Sequence, residues 1–391
     1  MTPKKPRLLF VIGHLFQSGA ERFTYEVLKG IDRERFDVEL LTKRRITPRD
    51  YYYDRIRALG IPIHTRLPLW LGRVQRRARP LFLLFRRPIE ALYRRHARLA
   101  LGDLLDHFDV INAVQIENYY LLQPLLRDNR RVVVYLMSHR FQYAFNPYAD
   151  CDPGRTYRFV QFDPSLREEY ADAPCRGAET ILFPLAIDLS GTADLSKSAR
   201  IEETYRIGVF IRLAPDRPIS GIFRAFALLR QQVDAELWLY GRGNPALYEK
   251  ELRELGVREN VVFRGHTANI EKTLREDGLS VVWMTSFGPM IAYASIEVAG
   301  YAFPMLFWNQ HGRMPPDEIR ARTGGAIESF YDPENLAEAT VRALRQPEQL
   351  RALGRRLRAH VLERNEISGS IRGLEEALQR IAAGEPETPL M

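Results

Sequence analysis

The chain has 391 residues, more than one hydrophobic core usually organises, so its length predicts two domains. Hydrophobic residues make up 46% and charged residues 27%, which is typical of a globular protein; no apolar run approaches the roughly 20 residues that span a bilayer. The formal charge of +8 favours anionic partners such as phosphates or lipid headgroups. Two cysteines, Cys151 and Cys175, indicate no disulfide framework and fit a reducing cytoplasm.

Strand-like apolar runs alternate with helical patterns through the first half of the chain. The run RLLFVIG (7–13) lacks the long apolar stretch and cleavage site of a signal peptide, so we predict a first strand there. A helix, AERFTYEVLKGI (20–31), follows it. Further strands are predicted at 36–42, 61–67, 108–114, 131–137, 157–162 and 179–185. Continuous apolar strands separated by helices predict a parallel sheet covered on both faces, in a domain spanning 1–195.

The segment WLGRVQRRARPLFLLFRRPIEALYRRHARLAL (70–101) combines positive charge with apolar residues. It holds nine arginines and one acid, Glu90, interleaved with aromatic and aliphatic side chains. Because basic amphipathic helices lie on anionic membranes, it predicts peripheral binding to an inner membrane surface. The predicted contacts are Arg76, Arg77, Arg86 and Arg87. The alternatives are a solvated arginine face over ordinary core residues, and nucleic-acid binding, which the lack of a recognisable nucleic-acid-binding module disfavours.

Three junctions in the first half carry candidate site residues. Gly19 begins the first helix, where close backbone approach and the helix N-terminus favour an anion; a plain turn is the alternative. The absence of G-x-G-x-x-G gives no support for NAD or FAD. Glu117 follows the strand 108–114 and is a candidate acceptor contact. His139 follows 131–137 and is a candidate general base, because imidazole side chains titrate near neutral pH; a loop histidine without a role is the alternative.

The alternation restarts after a polar stretch at 188–204, which is predicted to be a linker. Strands are predicted at 205–211, 235–241, 261–265, 279–284 and 303–309, with helices at 221–232, 246–256 and 269–277. We therefore predict a second domain at 203–370 and a C-terminal helix and tail at 371–391, with the helix able to pack back on the first domain. The predicted fold class is α/β, with two doubly wound parallel-sheet domains facing each other across a cleft.

Candidate ligand-binding residues follow the strands of the second domain. Arg212 and Arg217 come after its first strand, where two planar guanidinium groups can bind a diphosphate. Gly241 follows the next strand, and Gly265 and His266 follow the third. Taken singly, each of these features also fits a solvated surface turn.

One acid, Glu297, lies in the otherwise apolar stretch SFGPMIAYASIEVAGYAFP (286–304). The stretch joins a strand to a helix, the kind of junction where open α/β sheets bind ligands. The alternative is that Glu297 only stabilises the dipole of a helix start.

In chain order, SGAER, RLAPDR, YGRGNPALYEKELRELGVRENVVFRGH, IEVAGYAFP and YDPENLAEAT resemble retaining glycosyltransferases of family 4, which have the GT-B fold. The resemblance is strongest between 207 and 344. It implies that two arginines, here Arg212 and Arg217, neutralise the leaving diphosphate without a metal or cofactor, and that Glu297 binds the ribose of a nucleotide-sugar donor. It also implies that His139 bonds to the donor sugar or the acceptor. The remaining implied donor contacts are Gly19, Gly241, Gly265, His266, Gly288 and Pro289.

The sequence departs from the family pattern at two informative positions. Pro289 stands where the family has a first glutamate associated with the donor sugar, and Ala302 stands where it has a glycine two residues before a proline. The expected function is sugar transfer from a nucleotide diphosphate donor to a glycan or lipid-linked acceptor in bacterial envelope synthesis. An inactive GT-B scaffold, which the loss of the first glutamate favours, and a nucleotide-sugar epimerase of the same fold are the alternatives.

Overall fold

The computed structural model describes residues 4–126, 131–137, 157–163, 179–201, 204–214, 217, 219–287, 290–309 and 314–385. The chain forms two compact units, the first comprising 1–186 with 367–391 and the second 187–366. The boundaries differ from the expected ones at both ends of the second unit, which begins before the polar stretch and ends at residue 366.

The first unit is built on a seven-stranded parallel sheet. Its strands are β1 (Arg7–Val11), β2 (Asp37–Lys43), β3 (Ile63–Leu67), β4 (Val110–Val114), β5 (Val132–Tyr135), β6 (Arg158–Gln161) and β7 (Glu179–Leu182). They follow the order β3-β2-β1-β4-β5-β6-β7. In register, Leu8 of β1 lies opposite Val38 on one side and Val110 on the other. Both faces of β1 are buried, which explains its unbroken apolar sequence.

Seven described helices belong to the first unit. They span Gly19–Gly30, Tyr53–Ala58, Trp70–Arg77, Arg79–Leu84, Arg86–Leu101, Ile116–Leu122 and Ile367–Ala382. The last of these comes from the C-terminal end of the chain and packs on the first helix. Its Glu375 accepts a hydrogen bond from the backbone N–H of Asp32 (2.7 Å) and forms an ion pair with Arg35 (2.9 Å). Gly30 lets the helices approach closely, because a side chain there would meet Ile367.

The second unit repeats the arrangement with six strands in one parallel path. These are β8 (Tyr205–Phe210), β9 (Ala235–Tyr240), β10 (Val261–Gly265), β11 (Val281–Phe287), β13 (Met305–Asn309) and β14 (Ser329–Phe330). Their order is β10-β9-β8-β11-β13-β14, and a short strand, β12 (Met290–Ile291), pairs antiparallel with the end of β11. The described helices are Ile219–Arg230, Glu249–Glu254, Ile270–Glu276, Tyr293–Gly300, Pro316–Arg322, Pro333–Leu344 and Pro347–Asn365.

The polar stretch expected to be a linker is instead packed into the second unit. Leu189, Leu195 and Ala199 are buried, and the N–H of Leu195 donates to the carbonyl of Tyr301 (2.7 Å). Arg358 donates to two carbonyls, one of them that of Thr192 (2.8 Å). Three apolar side chains are sufficient to hold the segment against the second unit. Because they are spaced through polar sequence, the composition of the segment suggested a linker.

Strand order defines where each unit can bind a ligand. In both sheets the first strand is central, between the second and fourth strands of its unit. Successive strands are added first on one side of this strand and then on the other, so the connections run in opposite directions from that point. The loops that leave the carboxyl ends of the two strands there diverge and form a crevice. These switch points lie between β1 and β4 and between β8 and β11.

Candidate functional site

Arg212 lies at the carboxyl end of β8, beside the switch point of the second sheet. The backbone N–H groups on either side of it, from Ile211 and Leu213, donate to the carbonyls of Tyr240 (2.9 Å) and Arg242 (2.8 Å). Ile211 and Leu213 are buried, whereas the alternating residue Arg212 is exposed. The loop therefore holds the backbone of Arg212 firmly and directs its guanidinium away from the core.

Arg217 lies at the other end of the same loop. Its N–H donates to the carbonyl of Ala214 (3.0 Å), and its own carbonyl accepts from the N–H of Ile219, the first residue of the next helix (2.9 Å). Unlike Arg212, Arg217 is partly buried, and its Nε atom is fully buried. Both candidate cations therefore belong to one turn between β8 and the helix Ile219–Arg230.

Gly241 is required by the packing of two strand ends. A Cβ at Gly241 would overlap the carbonyl oxygen of Ile211, so no other residue fits without moving the backbone. Its N–H donates to the carbonyl of Gly265 (2.8 Å) and is therefore not available to a ligand. Gly265 has φ +74 and open space around it, which makes it a conformational requirement of the turn.

His266 follows β10 and lies near Arg242. Burial, and secondly the positive charge of Arg242, lower the pKa of His266 below its ordinary value. The ring is therefore neutral at physiological pH and can both donate and accept a hydrogen bond.

Glu297 is the fifth residue of the helix Tyr293–Gly300, which follows β11. The sequence placed it at the start of the helix, but the structure places it in the second turn, where the dipole of the helix terminus contributes little. Its side chain is partly buried, and its charge helps to raise the pKa of Tyr301, after burial and the charge of Glu271. Dipole stabilisation therefore does not account for this carboxylate.

The residue before that helix provides no side-chain cap. Ala292 precedes the helix and carries no side-chain acceptor for the first N–H groups, and the first turn of the helix contains no acidic residue.

A strained residue follows the other end of the helix, because Ala302 adopts φ +55, a conformation that favours glycine. The family pattern has a glycine at this position, and the backbone shows the physical reason.

The first unit carries a polar cluster that the sequence analysis missed. Asp50, whose side chain is fully buried, accepts hydrogen bonds from the N–H of Leu15 (3.1 Å) and from the N–H and Oγ1 of Thr47 (both 2.8 Å), and pairs with Lys43 Nζ (2.8 Å). Lys43 also lies 3.3 Å from His14 Nδ1. Burial alone would raise the pKa of Asp50, but hydrogen bonds from Lys43 and Thr47 outweigh it and lower that pKa. No motif signals this cluster, because its members come from the loop after β1, the end of β2 and the loop after β2.

The N-terminus of the helix Gly19–Gly30 already holds a carboxylate. Glu21 is buried in the first turn and accepts a hydrogen bond from Ser18 Oγ. Burial raises its pKa, as does the nearby charge of Asp50, against the opposing effect of the Ser18 bond. A Cβ at Gly19 would meet nothing within 4 Å, so the fold does not require glycine there.

Glu117 lies in the first turn of the helix Ile116–Leu122, beside the switch point of the first sheet, and is exposed. The residue that connects β4 to this helix, Gln115, has φ +70. A non-glycine residue in this conformation is strained, and such strain is commonest near functional sites. No feature of the sequence indicates this strain.

Three predicted site residues, His139, Gly288 and Pro289, lie outside the described residues. The second unit brings Arg212 and Arg217 together on one loop and places Glu297 on the helix that follows β11, across the switch point from β8. Among the residues that the structure describes, no group of three or more His, Cys, Asp or Glu side chains could hold a metal ion.

Comparison with known proteins supports a glycosyltransferase of the GT-B fold. Residues 205–346 match the family model described as glycosyl transferases group 1. The match spans the strands from β8 to β14 and all of the second-unit candidates. No curated protein sequence matches the chain.

Solved structures with the same fold extend over nearly the whole chain. Anabaena Alr3699/HepE in complex with UDP and glucose has a TM-score of 0.69 at 16% identity, covering 95% of this chain and 99% of that one. Sucrose-phosphate synthase from Thermosynechococcus elongatus has a TM-score of 0.67 at 14% identity, covering 97% and 100%. WaaG, a glycosyltransferase involved in lipopolysaccharide biosynthesis, has a TM-score of 0.60 at 13% identity, covering 96% and 99%. At these identities the likeness establishes the fold, α/β of the GT-B type.

Proposed function

We propose that the protein is a glycosyltransferase that takes its sugar from a nucleotide diphosphate donor bound by the second unit. The family match to 205–346 supports the reaction class, and the complexes of HepE with UDP and with UDP-glucose support the donor class. The observation that carries the proposal is the placement of Arg212 and Glu297 on the two sides of one switch point, after β8 and β11.

In this proposal each side chain at the carboxyl edge of the second sheet has a separate role. Arg212 and Arg217 bind the diphosphate and stabilise the negative charge that grows on it as the glycosidic bond to phosphate breaks. The uncapped start of the helix Tyr293–Gly300 supplies backbone N–H groups to the same anion. Glu297, one turn further along, accepts hydrogen bonds from the ribose hydroxyls. Gly241 and Gly265 shape the turns rather than donate hydrogen bonds.

We further propose that transfer proceeds with retention and without a metal ion. In front-face attack the leaving phosphate takes the proton of the acceptor hydroxyl, so the arginine charges serve the leaving group and no dedicated protein base is required. Neutral His266 fits a hydrogen-bonding role at the donor. The acceptor, a glycan or lipid-linked sugar of the bacterial envelope, is assigned to the first unit, with Glu117 and His139 as its candidate contacts.

Pro289, in place of the first glutamate of the family, favours a second candidate function. A GT-B unit that lacks the carboxylate for the donor sugar can retain nucleotide binding and serve as an inactive scaffold. An epimerase of the same fold is a third possibility, distinguished by turnover of the donor alone.

A donor panel tests the proposal directly. UDP-, GDP- and dTDP-sugars are incubated with the protein, with and without membrane glycolipid extracts as acceptors, and release of the nucleoside diphosphate and isomerisation of the sugar are both measured. Release from one donor supports a transferase, and isomerisation without acceptor supports an epimerase. Nucleotide binding without any turnover supports the scaffold. If UDP, GDP and dTDP all leave the thermal stability unchanged, the nucleotide site itself is wrong.

Glu297→Ala tests the ribose assignment. The variant should raise the Kd for the preferred nucleoside diphosphate about tenfold, corresponding to the loss of hydrogen bonds to a charged group. Glu338→Ala, which changes an exposed glutamate of the same unit, serves as the control. An unchanged Kd for Glu297→Ala would contradict the assignment.

A further inference from the structure

Exposed apolar side chains are concentrated in one short part of the first unit. Of the ten large hydrophobic residues exposed in the part of the chain that the structure describes, six lie between 81 and 99. They are Leu81, Leu83, Leu84, Phe85, Leu92 and Leu99. The exposed fraction reaches 74% for Leu84 and 80% for Leu99. Scattered single leucines need no explanation, but a cluster of this size marks an interaction surface.

Other residues of the same segment hold it in place on the unit. Leu71, Phe82, Tyr93 and Ala97 are buried, and Tyr93 donates a hydrogen bond to the carbonyl of Pro68 (3.3 Å). Trp70 is fixed as well, through an Nε1–H bond to His96 Nδ1 (2.8 Å). The exposed leucines are therefore the outward face of helices whose inward face is already packed.

Arginines accompany the exposed leucines. Arg87, Arg94, Arg95 and Arg98 are exposed, and none of them forms an ion pair with a carboxylate within the described residues. Arg77 is also exposed, while the side chain of Arg76 lies outside the description. Arg86, predicted as a membrane contact, is partly buried and pairs with Glu90 (2.8 Å). Of the four predicted contacts, Arg77 and Arg87 are exposed; Arg94, Arg95 and Arg98, which were not predicted, are exposed as well.

The helix Arg86–Leu101 arranges these side chains in two adjacent stripes. Leu92 and Leu99 are seven residues apart, two helical turns, and so share one side of the helix. Arg87 and Arg94 are likewise seven residues apart, and Arg98 follows four residues later, so the three lie along the other side of its exposed face. An apolar stripe beside a cationic stripe matches the boundary between acyl chains and phosphate headgroups.

We propose that this surface, formed by the exposed leucines, Phe85 and the exposed arginines of residues 77–99, docks the protein on an anionic lipid bilayer. The leucines and Phe85 enter the acyl boundary, and the arginine heads stay at the lipid phosphates while their stems cover apolar surface. No described helix is long and apolar enough to cross a bilayer, so the contact is a peripheral one. The proposal does not depend on the proposed function.

Charge decides between a bilayer and the two other partners. A twofold contact between two copies would bring the arginines of one copy against those of the other. Nucleic acid would neutralise the arginines but would leave the six apolar side chains in water. An anionic bilayer provides acyl chains for the apolar stripe and phosphates for the cationic stripe.

Vesicle sedimentation of the full chain tests the proposal. Vesicles of phosphatidylcholine with phosphatidylglycerol are compared with vesicles of phosphatidylcholine alone, using wild type, Leu84→Ser/Phe85→Ser and Arg94→Ser/Arg98→Ser. Matched controls change exposed residues of the second unit: Leu247→Ser for the apolar variant and Arg224→Ser/Arg345→Ser for the charge variant. Circular dichroism and thermal unfolding verify that each variant is folded.

The wild type and both controls should bind the anionic vesicles alike. The apolar variant should lose about tenfold or more in partition coefficient, and the charge variant about tenfold, with its remaining binding less sensitive to salt. Failure of the wild type to bind anionic vesicles would overturn the proposal, as would wild-type binding by the apolar variant. A dimer in size-exclusion chromatography that Leu84→Ser/Phe85→Ser dissociates would assign the surface to a second copy. Tighter binding to an oligonucleotide than to vesicles would assign it to nucleic acid.

Discussion

The carboxyl edges of the two sheets invite comparison because both lie at a switch point with the same strand order. At the edge of the first sheet, Asp50 is saturated by Lys43, Thr47 and Leu15, and Glu21 is buried against Ser18. At the edge of the second sheet, Arg212 is exposed and the start of the helix Tyr293–Gly300 has no capping side chain. The same strand order therefore carries an internally neutralised network of charges in the first unit. In the second unit it carries an exposed arginine beside a helix start without a capping side chain.

The difference shows that a fold supplies a place for a ligand but not its chemistry. A carboxylate buried at the first edge competes with an anionic ligand for the same helix terminus, whereas the first turn of the helix Tyr293–Gly300 contains no acidic residue. The comparison therefore supports the proposal that the second unit binds the nucleotide diphosphate.

Replacing one glycine by alanine in each unit should give the largest difference in stability between the two edges. Gly241→Ala should destabilise the second unit by about 4 kcal/mol, because its Cβ would overlap the Ile211 carbonyl. Gly19→Ala, the matched change in the first unit, should stabilise by about 0.5 kcal/mol, since it meets nothing and reduces unfolded-state entropy. Denaturant unfolding followed by the fluorescence of Trp283 and its neighbours measures the first effect. Equal stability of Gly241→Ala and wild type would show that the strand ends are not packed as described.

Removal of the charge at the first edge should have the next largest effect. Asp50→Asn should cost about 3 kcal/mol of stability, because it leaves Lys43 partly buried without its partner. Asp54→Asn, the same change at an exposed position of the same unit, should cost less than about 1 kcal/mol. Hydrogen exchange of the β1 amides reports the first unit separately. If the two variants lose equal stability, the Asp50 network does not support the fold.

Removal of the charge at the second edge should act on binding instead of stability. Arg212→Ala should weaken nucleoside diphosphate binding by about 2 kcal/mol, roughly thirtyfold in Kd, with little change in unfolding. Arg212→Lys should recover part of the loss, because the charge remains but the bidentate geometry does not. Arg224→Ala, an exposed arginine on the helix that follows, is the control. Isothermal titration with the preferred nucleotide measures all three, and wild-type affinity in Arg212→Ala would remove this residue from the site.

The smallest effect should be a pH dependence confined to the first edge. The raised pKa of Glu21 means that the folded state binds more protons than the unfolded state just above the ordinary glutamate pKa. Stability therefore falls as pH rises from that ordinary value through the folded pKa. Asp50 acts in the opposite direction, since its lowered pKa makes its contribution disappear as pH falls. Glu21→Gln should gain stability relative to wild type as pH rises through this window, and parallel pH profiles would contradict the burial of a charged Glu21.

Hydrophobic patterning predicted the strands of both sheets within a few residues, except the two-residue strands β12 and β14, because buried parallel strands are continuous apolar runs. The same patterning predicted a linker at 188–204, where the structure has a packed segment. Its three buried apolar residues are too far apart in the sequence to form a recognisable pattern. Motif order pointed to Arg212, which lies just after β8, and to Glu297, which lies in the helix that follows β11; their roles stay predictions. Motif order also proposed Gly241 as a donor contact, and the structure adds that backbone crowding requires glycine there. It missed Asp50, whose partners lie up to 35 residues away.

The sequence by itself determined the fold class, the division into two sheets and the placement of candidate cations after β8, because these depend on local periodicity and on which residue follows a strand. Only the tertiary structure decided which charges are neutralised and which side chains face outward. Pairing and burial depend on residues distant in the chain, as with Lys43 and Asp50, or on which face of a helix is already packed, as with Tyr93 and Leu92.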